Sequence, residues 1–297
     1  MEYVRSAIQA GLDVDQFSGR LSFFFNAYND LFEEVGKFRA ARRIWAKIMK
    51  EKFNARNPKS MMMRFHTQTG GSALTAQQPD NNIVRVTIHT LAAVLGGTQS
   101  LHTNSKEEAL ALPSEDSVRI ALRTQQIVAH ESGVAGTVDP LAGAYYVEAV
   151  TDRIEGEVWD YINKIEELGG MVKAIERGYV QKEVQDASYK YQQDVEKGQR
   201  VIVGVNKFMI DEETPGNLLK VDPSLRNIQI KKLKDVKANR NEISVREKLN
   251  AVRAAAKRSD LNLMPPILDA VKEYASLGEI CNVLRDEFGE HRESIVL

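Results

Sequence analysis

The sequence contains a single cysteine, Cys281, among its 297 residues. One thiol excludes an internal disulfide and a zinc site built from several thiolates, and it is typical of proteins in a reducing compartment. The N-terminal stretch MEYVRSAIQAGLD lacks the pattern of a secretory signal, and no apolar run approaches the roughly 18 residues that a membrane span needs. We therefore expect a cytoplasmic protein that has no membrane partner.

An excess of charge of one sign is also lacking. The 40 basic and 41 acidic residues nearly cancel, so the composition does not indicate binding to nucleic acid or to an anionic membrane. No Gly-x-Ser-x-Gly motif and no Cys/His nucleophile arrangement stands out. The hydrophobic content of 43% is sufficient for a sizeable core, in one large or two ordinary domains.

The most informative stretch runs from Ser60 to Asn104 and predicts a strand, a helix and a second strand. Three methionines lead into RFHTQ and a Gly70-Gly71 turn, which is the pattern of a strand buried on both faces of a parallel sheet. Apolar residues recur at helical spacing from Asp80 to Leu95, and a strand is expected from Thr98 to Asn104. Parallel strands need such a crossover helix, and their ligands lie beyond the carboxyl ends of the strands.

Similar units precede and follow this stretch. A strand from Leu21 to Ala27 and a long helix with one apolar face come before it, so three β/α units are expected up to about residue 131. A capping box from Ser105 to Glu108 predicts a short helix that stops at Pro113. The remainder is expected to be helical, apart from a short strand from Val201 to Phe208.

Polar side chains are expected together where two of these strands end. His66 and Gln68 are two residues apart and project from one face of a strand, and His102 and Asn104 repeat this arrangement on the next strand. Imidazole and carboxamide groups in one cavity could bind a thioester carbonyl or act as general acids near neutral pH. The alternative is a set of satisfied polar groups at the rim of a sheet. A metal site is not expected, because no carboxylate or thiolate accompanies the histidines at ligand spacing.

Two further positions have both a functional and a structural interpretation. Arg20 precedes an apolar strand and could pair with a phosphate, with Ser22 as an additional donor, although the local pattern favours an ordinary surface arginine. Glu108 is explained structurally by the capping box. The Gly70-Gly71 pair allows close approach of a ligand, but it lacks the context of a phosphate-binding loop.

Long motifs of this sequence resemble the methylmalonyl-CoA mutase family, the adenosylcobalamin-dependent acyl-CoA mutases. The resemblance extends from residue 2 to about 290 and is carried by RLSFFFNA, RFHTQTGGSALTAQQPDNNIVR, LAAVLGGTQSLHTNSKEEALALPSE, ESGV, VDPLAGAYYVE, EELGGMVKAIERGY and VIVGVNKF. It implies a (β/α)8 TIM barrel that takes the acyl-CoA through its centre and meets the corrin ring at the carboxyl ends of the strands. The resemblance further implies that the cofactor supplies a radical and that the thioester group migrates within the substrate.

The resemblance assigns roles to individual residues. It places Arg20 and Ser22 at the CoA moiety, and His66 and Gln68 in the substrate and adenosyl cavity. It places four residues at the cobalamin or close to it on the adenosyl side: Gly71, Asn104, Glu108 and Ala111. Ser72 and Leu141 stand where some family members have tryptophan.

Other family motifs do not occur in this sequence. The early barrel strands with their Tyr-His pair, and the Asp-x-His-x-x-Gly motif that provides the lower cobalt ligand, are not found. We therefore expect residues 1–135 to be the last three β/α units of a barrel, and residues 136–297 to be a mainly helical extension toward a separate cobalamin-binding domain. The expected partners are an acyl-CoA, a chain that supplies the early barrel units, and a small cobalamin-binding subunit.

The expected activity follows from the same resemblance. It is an intramolecular transfer that converts (R)-methylmalonyl-CoA to succinyl-CoA, with the isolated chain inactive. Isobutyryl-CoA or a hydroxyacyl-CoA is an alternative substrate, and a non-catalytic assembly module derived from a mutase is an alternative of another class.

Overall fold

The computed structural model describes residues 1–211 and 218–290, which form two compact units. The first unit comprises Met1–Lys220 and the second begins at Val221. The domain boundary expected near residue 135 stays a prediction. No helix in the described ranges is both long enough and apolar enough to cross a membrane.

The first unit is built around a sheet of three parallel strands, in the order β1 (Phe23–Ala27), β2 (Phe65–Thr69) and β3 (Ser100–His102). Its helices are α1 Glu2–Gln9, α2 Val14–Phe17, α3 Leu31–Lys47, α4 Pro58–Met61, α5 Asn81–Leu95, α6 Glu115–Glu131, α7 Tyr145–Glu167, α8 Met171–Glu176 and α9 Tyr179–Glu196. The crossovers through α3 and α5 confirm the expected α/β class, an arc of parallel strands with helices that is followed by a helical extension.

One face of the sheet packs against α3 and α5 to form the core. The ring of Phe65 is 2% exposed and stacks on Phe38 of α3, with 5.2 Å between ring centroids. Ala27 and Ala93 complete this cluster and are fully buried. Because each buried phenylalanine contributes about 2 kcal/mol, these contacts fix the sheet on its helices.

Helix α7 packs along α3 through a row of ion pairs. Arg39 donates to Glu148 at 2.7 Å and pairs with Asp139, and Arg43 pairs with Glu155. The Arg39 guanidinium, and then the Gly143 amide, lowers the pKa of Glu148 to about 2. Helix α7, which begins the expected helical extension, therefore belongs to the same compact unit as the strands.

Three predicted elements are wrong. The methionine run does not enter the strand, because Asn57 caps α4 and Pro58 occupies its first turn, so β2 begins only at Phe65. Residues 105–112 form turns rather than a short helix, and residues 201–208 form a turn closed by a single bridge between Val203 and Lys207. In this last segment the Asn206 amide donates to Arg200 O at 2.8 Å and bends the chain back.

The second unit is a separate helical bundle with its own core. It contains α10 Ser224–Asn239, α11 Glu242–Ala256, α12 Met264–Lys272 and α13 Leu277–Phe288. Val245 and Val252 of α11 pack with Ala270, Ile280 and Val283 from the two following helices. Pro265 and Pro266 lie in the first turn of α12, where proline is tolerated.

The buried imidazole of His89 makes the stability of this fold depend on pH. His89 lies on α5, is 1% exposed and contacts Asn29 Oδ1 through Nε2 at 2.9 Å. Burial, and then the charge of Arg85, lowers the pKa of His89 from 6.5 to about 4. Between these two pH values the unfolded chain binds a proton that the folded chain does not, so acidification favours unfolding.

We expect the free energy of unfolding to fall by about 3 kcal/mol between pH 6.5 and pH 4 because of His89. Urea denaturation at several pH values measures this change. A His89→Gln variant, which keeps a polar group near Asn29 but does not titrate, is expected to lose this dependence. An unchanged pH profile in that variant would contradict the prediction.

Candidate functional site

The second face of the sheet is open and polar. In register across the strands, Phe24 lies beside His66, and His66 lies beside Ser100. The His66 Nδ1 is 2.7 Å from Ser100 Oγ, and its ring centroid is 5.2 Å from that of Phe24, which is 63% exposed. The expectation that β2 is buried on both faces is therefore wrong, since buried and half-buried residues alternate along it.

The next row of this face leads to the carboxyl end of the sheet. Asn26, Gln68 and His102 lie side by side, and the Gln68 amide donates to Asn104 Oδ1 at 3.3 Å. The same oxygen accepts a hydrogen bond from Thr69 Oγ1 at 3.1 Å. The structure thus brings the four expected residues together. His66, Gln68 and His102 lie on the open strand face, and Asn104 lies just beyond β3, next to Gln68.

Asn104 and Gly71 meet where β2 ends. Asn104 is 3% exposed, and its Nδ2 has no hydrogen-bond partner among the described residues. A Cβ on Gly71 would lie 2.8 Å from that nitrogen and 3.1 Å from Oε1 of Glu108. Glycine at position 71 therefore leaves room for a close approach of these polar groups to the chain.

Glu108 and Ala111 lie in the turn that follows β3. The Glu108 amide donates to Ser105 O and the Ala111 amide to Glu107 O. The expected capping box is wrong, because no helix begins here and the Glu107 carboxylate instead accepts from the Ser114 amide at 2.7 Å, ahead of α6. The turn leaves the Glu108 side chain exposed beside Gly71.

Arg20 and Ser22 lie at the opposite end of the sheet. Arg20 ends a 3₁₀ turn and Ser22 immediately precedes β1, and both side chains are exposed. A strand of five residues spans about 16 Å, so the structure does not bring this pair together with Gly71 and Asn104. A ligand that contacts both sets would have to lie along the open face.

Some neighbours of the site were not identified from the sequence. Ser100 could have been found from the period-two pattern that it shares with His102, since both face the same side as His66 and Gln68. Phe24, in the apolar strand expected from Leu21 to Ala27, is exposed beside His66. Within residues 1–211 and 218–290, no group of three or more histidine, cysteine, aspartate or glutamate side chains is arranged to hold a metal ion.

Comparison with known proteins identifies the family of this chain. A family model described as methylmalonyl-CoA mutase matches residues 1–290. The chain belongs to the methylmalonyl-CoA mutase family. The resemblance expected from the sequence motifs is thereby confirmed.

The curated relatives of the methylmalonyl-CoA mutase family are longer proteins. The large subunit of 2-hydroxyisobutanoyl-CoA mutase from Aquincola tertiaricarbonis is 45% identical over 99% of this chain and 52% of its own length. Methylmalonyl-CoA mutases from Rhizobium meliloti (strain 1021) and Escherichia coli (strain K12) are 43% and 46% identical over 98% of this chain and 41% of their own lengths. The chain thus spans about half or less of these relatives, whose names agree on a mutase type of function.

Proposed function

We propose that this chain is a component of an adenosylcobalamin-dependent acyl-CoA mutase that rearranges the carbon skeleton of (R)-methylmalonyl-CoA to give succinyl-CoA. The observation that carries the proposal is the row of His66, Gln68 and Asn104, which runs along the open strand face toward Gly71. An open face of this kind lies inside the barrel when parallel strands close into a cylinder. The reaction class is an intramolecular transfer.

His66 and Gln68 are proposed to hold the acyl group. Ser100 contacts Nδ1 of His66, which leaves Nε2 to donate to a thioester oxygen as charge develops there. Gln68 is tied to Asn104 at one end, so its amide is oriented before the substrate arrives. Arg20 and Ser22 at the other end of the sheet are proposed to contact the CoA moiety, since a guanidinium matches phosphate oxygens.

Gly71, Asn104, Glu108 and Ala111 are proposed to lie at the cobalamin. Two features support this fit: the buried Nδ2 of Asn104 without a partner in the described part of the chain, and the place beside it that a Cβ on Gly71 would fill. Adenosylcobalamin, when bound, supplies the radical that the rearrangement needs. The residues of this chain orient the substrate and exclude water around it.

The β/α arc is proposed to be completed by further β/α units, in the same polypeptide or in a second chain. The outer edge of β1 has no strand partner among the described residues. Beside it lies an apolar cavity of about 600 Å³, lined by Phe25 of the sheet, Ile44 of α3 and Val158 of α7. Repeating the β/α geometry once more would pair a strand with β1 and place its helix in this cavity.

Activity is proposed to require this completion and a cobalamin-binding unit. One relative is named a large subunit, which supports a separate small subunit as the partner that binds cobalamin. Residues 136–297 would then form the extension toward that unit. We propose that the isolated chain has no mutase turnover and that the complex is cytoplasmic, in keeping with the single cysteine.

A hydroxyacyl-CoA substrate is the second candidate. It is favoured by the 45% identity to the 2-hydroxyisobutanoyl-CoA mutase large subunit, which is similar to the 46% and 43% identities to the two methylmalonyl-CoA mutases. Isobutyryl-CoA belongs to the same group of alternatives. These candidate substrates differ only in the acyl group. Comparing the turnover rates with each acyl-CoA therefore distinguishes them.

The proposal is tested by reconstitution. The chain is co-expressed with the early barrel units and the cobalamin-binding subunit of a relative, supplied with adenosylcobalamin, and assayed with (R)-methylmalonyl-CoA, 2-hydroxyisobutanoyl-CoA and isobutyryl-CoA. We expect turnover of one of them only in the complete assembly. Steady turnover by the isolated chain with coenzyme would refute the requirement for partners, and stable assembly without turnover would favour the non-catalytic module.

A further inference from the structure

The Tyr28 side chain connects the sheet to the helical extension. Tyr28 follows β1 directly, and its amide donates to the buried carboxylate of Glu34 at 2.8 Å. Its ring lies parallel to that of His89 on α5, with 6.4 Å between centroids, and edge-on to that of Tyr191 on α9, at 6.5 Å. The guanidinium carbon of Arg200 lies 4.8 Å from the centre of the Tyr191 ring. The Tyr28 ring thus lies between α5 and α9.

The same ring also lies against the turn that follows β2. A Cβ on Gly70 would lie 2.7 Å from Cδ2 of Tyr28, and the Gly70 amide donates to Ala27 O at 2.7 Å. The next residue, Gly71, faces Asn104 instead. Two different side chains therefore require the two consecutive glycines: Tyr28 packs against Gly70, and Asn104 packs against Gly71.

We propose that Tyr28, held in place by Tyr191, is a positioning residue that fixes the Gly70–Gly71 turn at the carboxyl end of β2. Helix α9 would then influence the ligand site without touching the ligand, because it keeps the aromatic ring against Gly70. The inference rests on the proposed function only for the identity of that ligand, the cobalamin.

The surroundings of the hydroxyl agree with this role. Burial, and then the neighbouring hydroxyl of Tyr191, raises the pKa of Tyr28 to about 12. The hydroxyl of Ser72, which directly follows the glycine pair, acts in the opposite direction and lowers this pKa. The contact of Tyr28 with the turn is therefore made by its ring, at Gly70.

Hydrogen exchange of the full chain, followed by mass spectrometry, tests the proposal without any cofactor. In Tyr28→Ala and Tyr191→Ala we expect the amides of residues 70–73 to exchange about tenfold faster, since the turn opens locally. Tyr28→Phe keeps the ring and is expected to stay within about twofold of the original rate. Tyr189→Ala, an exposed position on the same helix, is the matched control and should change nothing in the turn.

The outcomes separate the inference from the proposed function. Unchanged hydrogen exchange of the turn in Tyr191→Ala would overturn the positioning role. If Tyr28→Ala loses protection throughout the sheet, that variant reports general unfolding, and the test then rests on Tyr191→Ala. In the reconstituted mutase, the dissociation constant for adenosylcobalamin should rise about tenfold in Tyr191→Ala. Faster exchange of the turn with an unchanged dissociation constant would support the positioning role and contradict the assignment of the cofactor to this turn.

Discussion

Replacing His66 by alanine is expected to lower kcat of the reconstituted mutase by about 10²- to 10⁴-fold. The reason is that the His66 imidazole lies on the open strand face between Phe24 and Ser100, with Nδ1 held by Ser100 at 2.7 Å and the other nitrogen left for the substrate. A donor that is already oriented stabilises charge on the thioester oxygen at no further cost of ordering. Steady-state assays with the preferred acyl-CoA measure the effect.

His130→Ala is the matched control for this variant. His130 lies on α6, is exposed, and stands outside the open face, so the control should retain the original kcat. His66→Asn replaces the imidazole with a neutral donor and is expected to recover part of the lost rate. A kcat for His66→Ala within a factor of about three of the original would show that the imidazole takes no part in the reaction.

Replacing Gly96 by alanine is expected to lower the free energy of unfolding by roughly 3 kcal/mol. Gly96 ends α5, and a Cβ at this position would lie 2.3 Å from Cδ2 of Phe38 and 2.9 Å from its Cβ. Phe38 cannot give way easily, because it is fully buried and stacked on Phe65. The added methyl group must therefore displace either the core ring or the end of the helix, and urea denaturation of the full chain reports the loss.

Gly156→Ala makes the same chemical change but is expected to raise the free energy of unfolding. Gly156 lies within α7 and is exposed, and apart from its chain neighbours and the backbone of its own helix no described atom lies within 4 Å of an added Cβ. The methyl group should stabilise the helix by about 0.5–1 kcal/mol, because alanine loses less backbone freedom than glycine. If both substitutions changed stability equally, the close contact of Gly96 with Phe38 would not be the cause.

The β/α pattern was accessible from the sequence because it rests on short-range periodicity. β1, α3, α5 and α6 lie close to where the apolar spacing predicted them, and the side chains of His66 and Gln68 share one face because strand residues alternate. The three wrongly predicted elements lie where a local hydrogen bond overrides the structure that the residue composition favours. Asn57 caps a helical turn ahead of the methionines, Glu107 accepts from the Ser114 amide, and Asn206 folds an apolar run back on itself.

By itself, the sequence determined the family, the α/β class and the residue types at the ends of the strands, since these depend on motifs and on periods of two and 3.6 residues. Only the tertiary structure decided which side chains meet: Ser100 with His66, Asn104 with Gly71, and Tyr28 with Gly70. The physical reason is that these contacts depend on strand register and on the packing of helices distant in the chain. Neither leaves a local signal in the sequence.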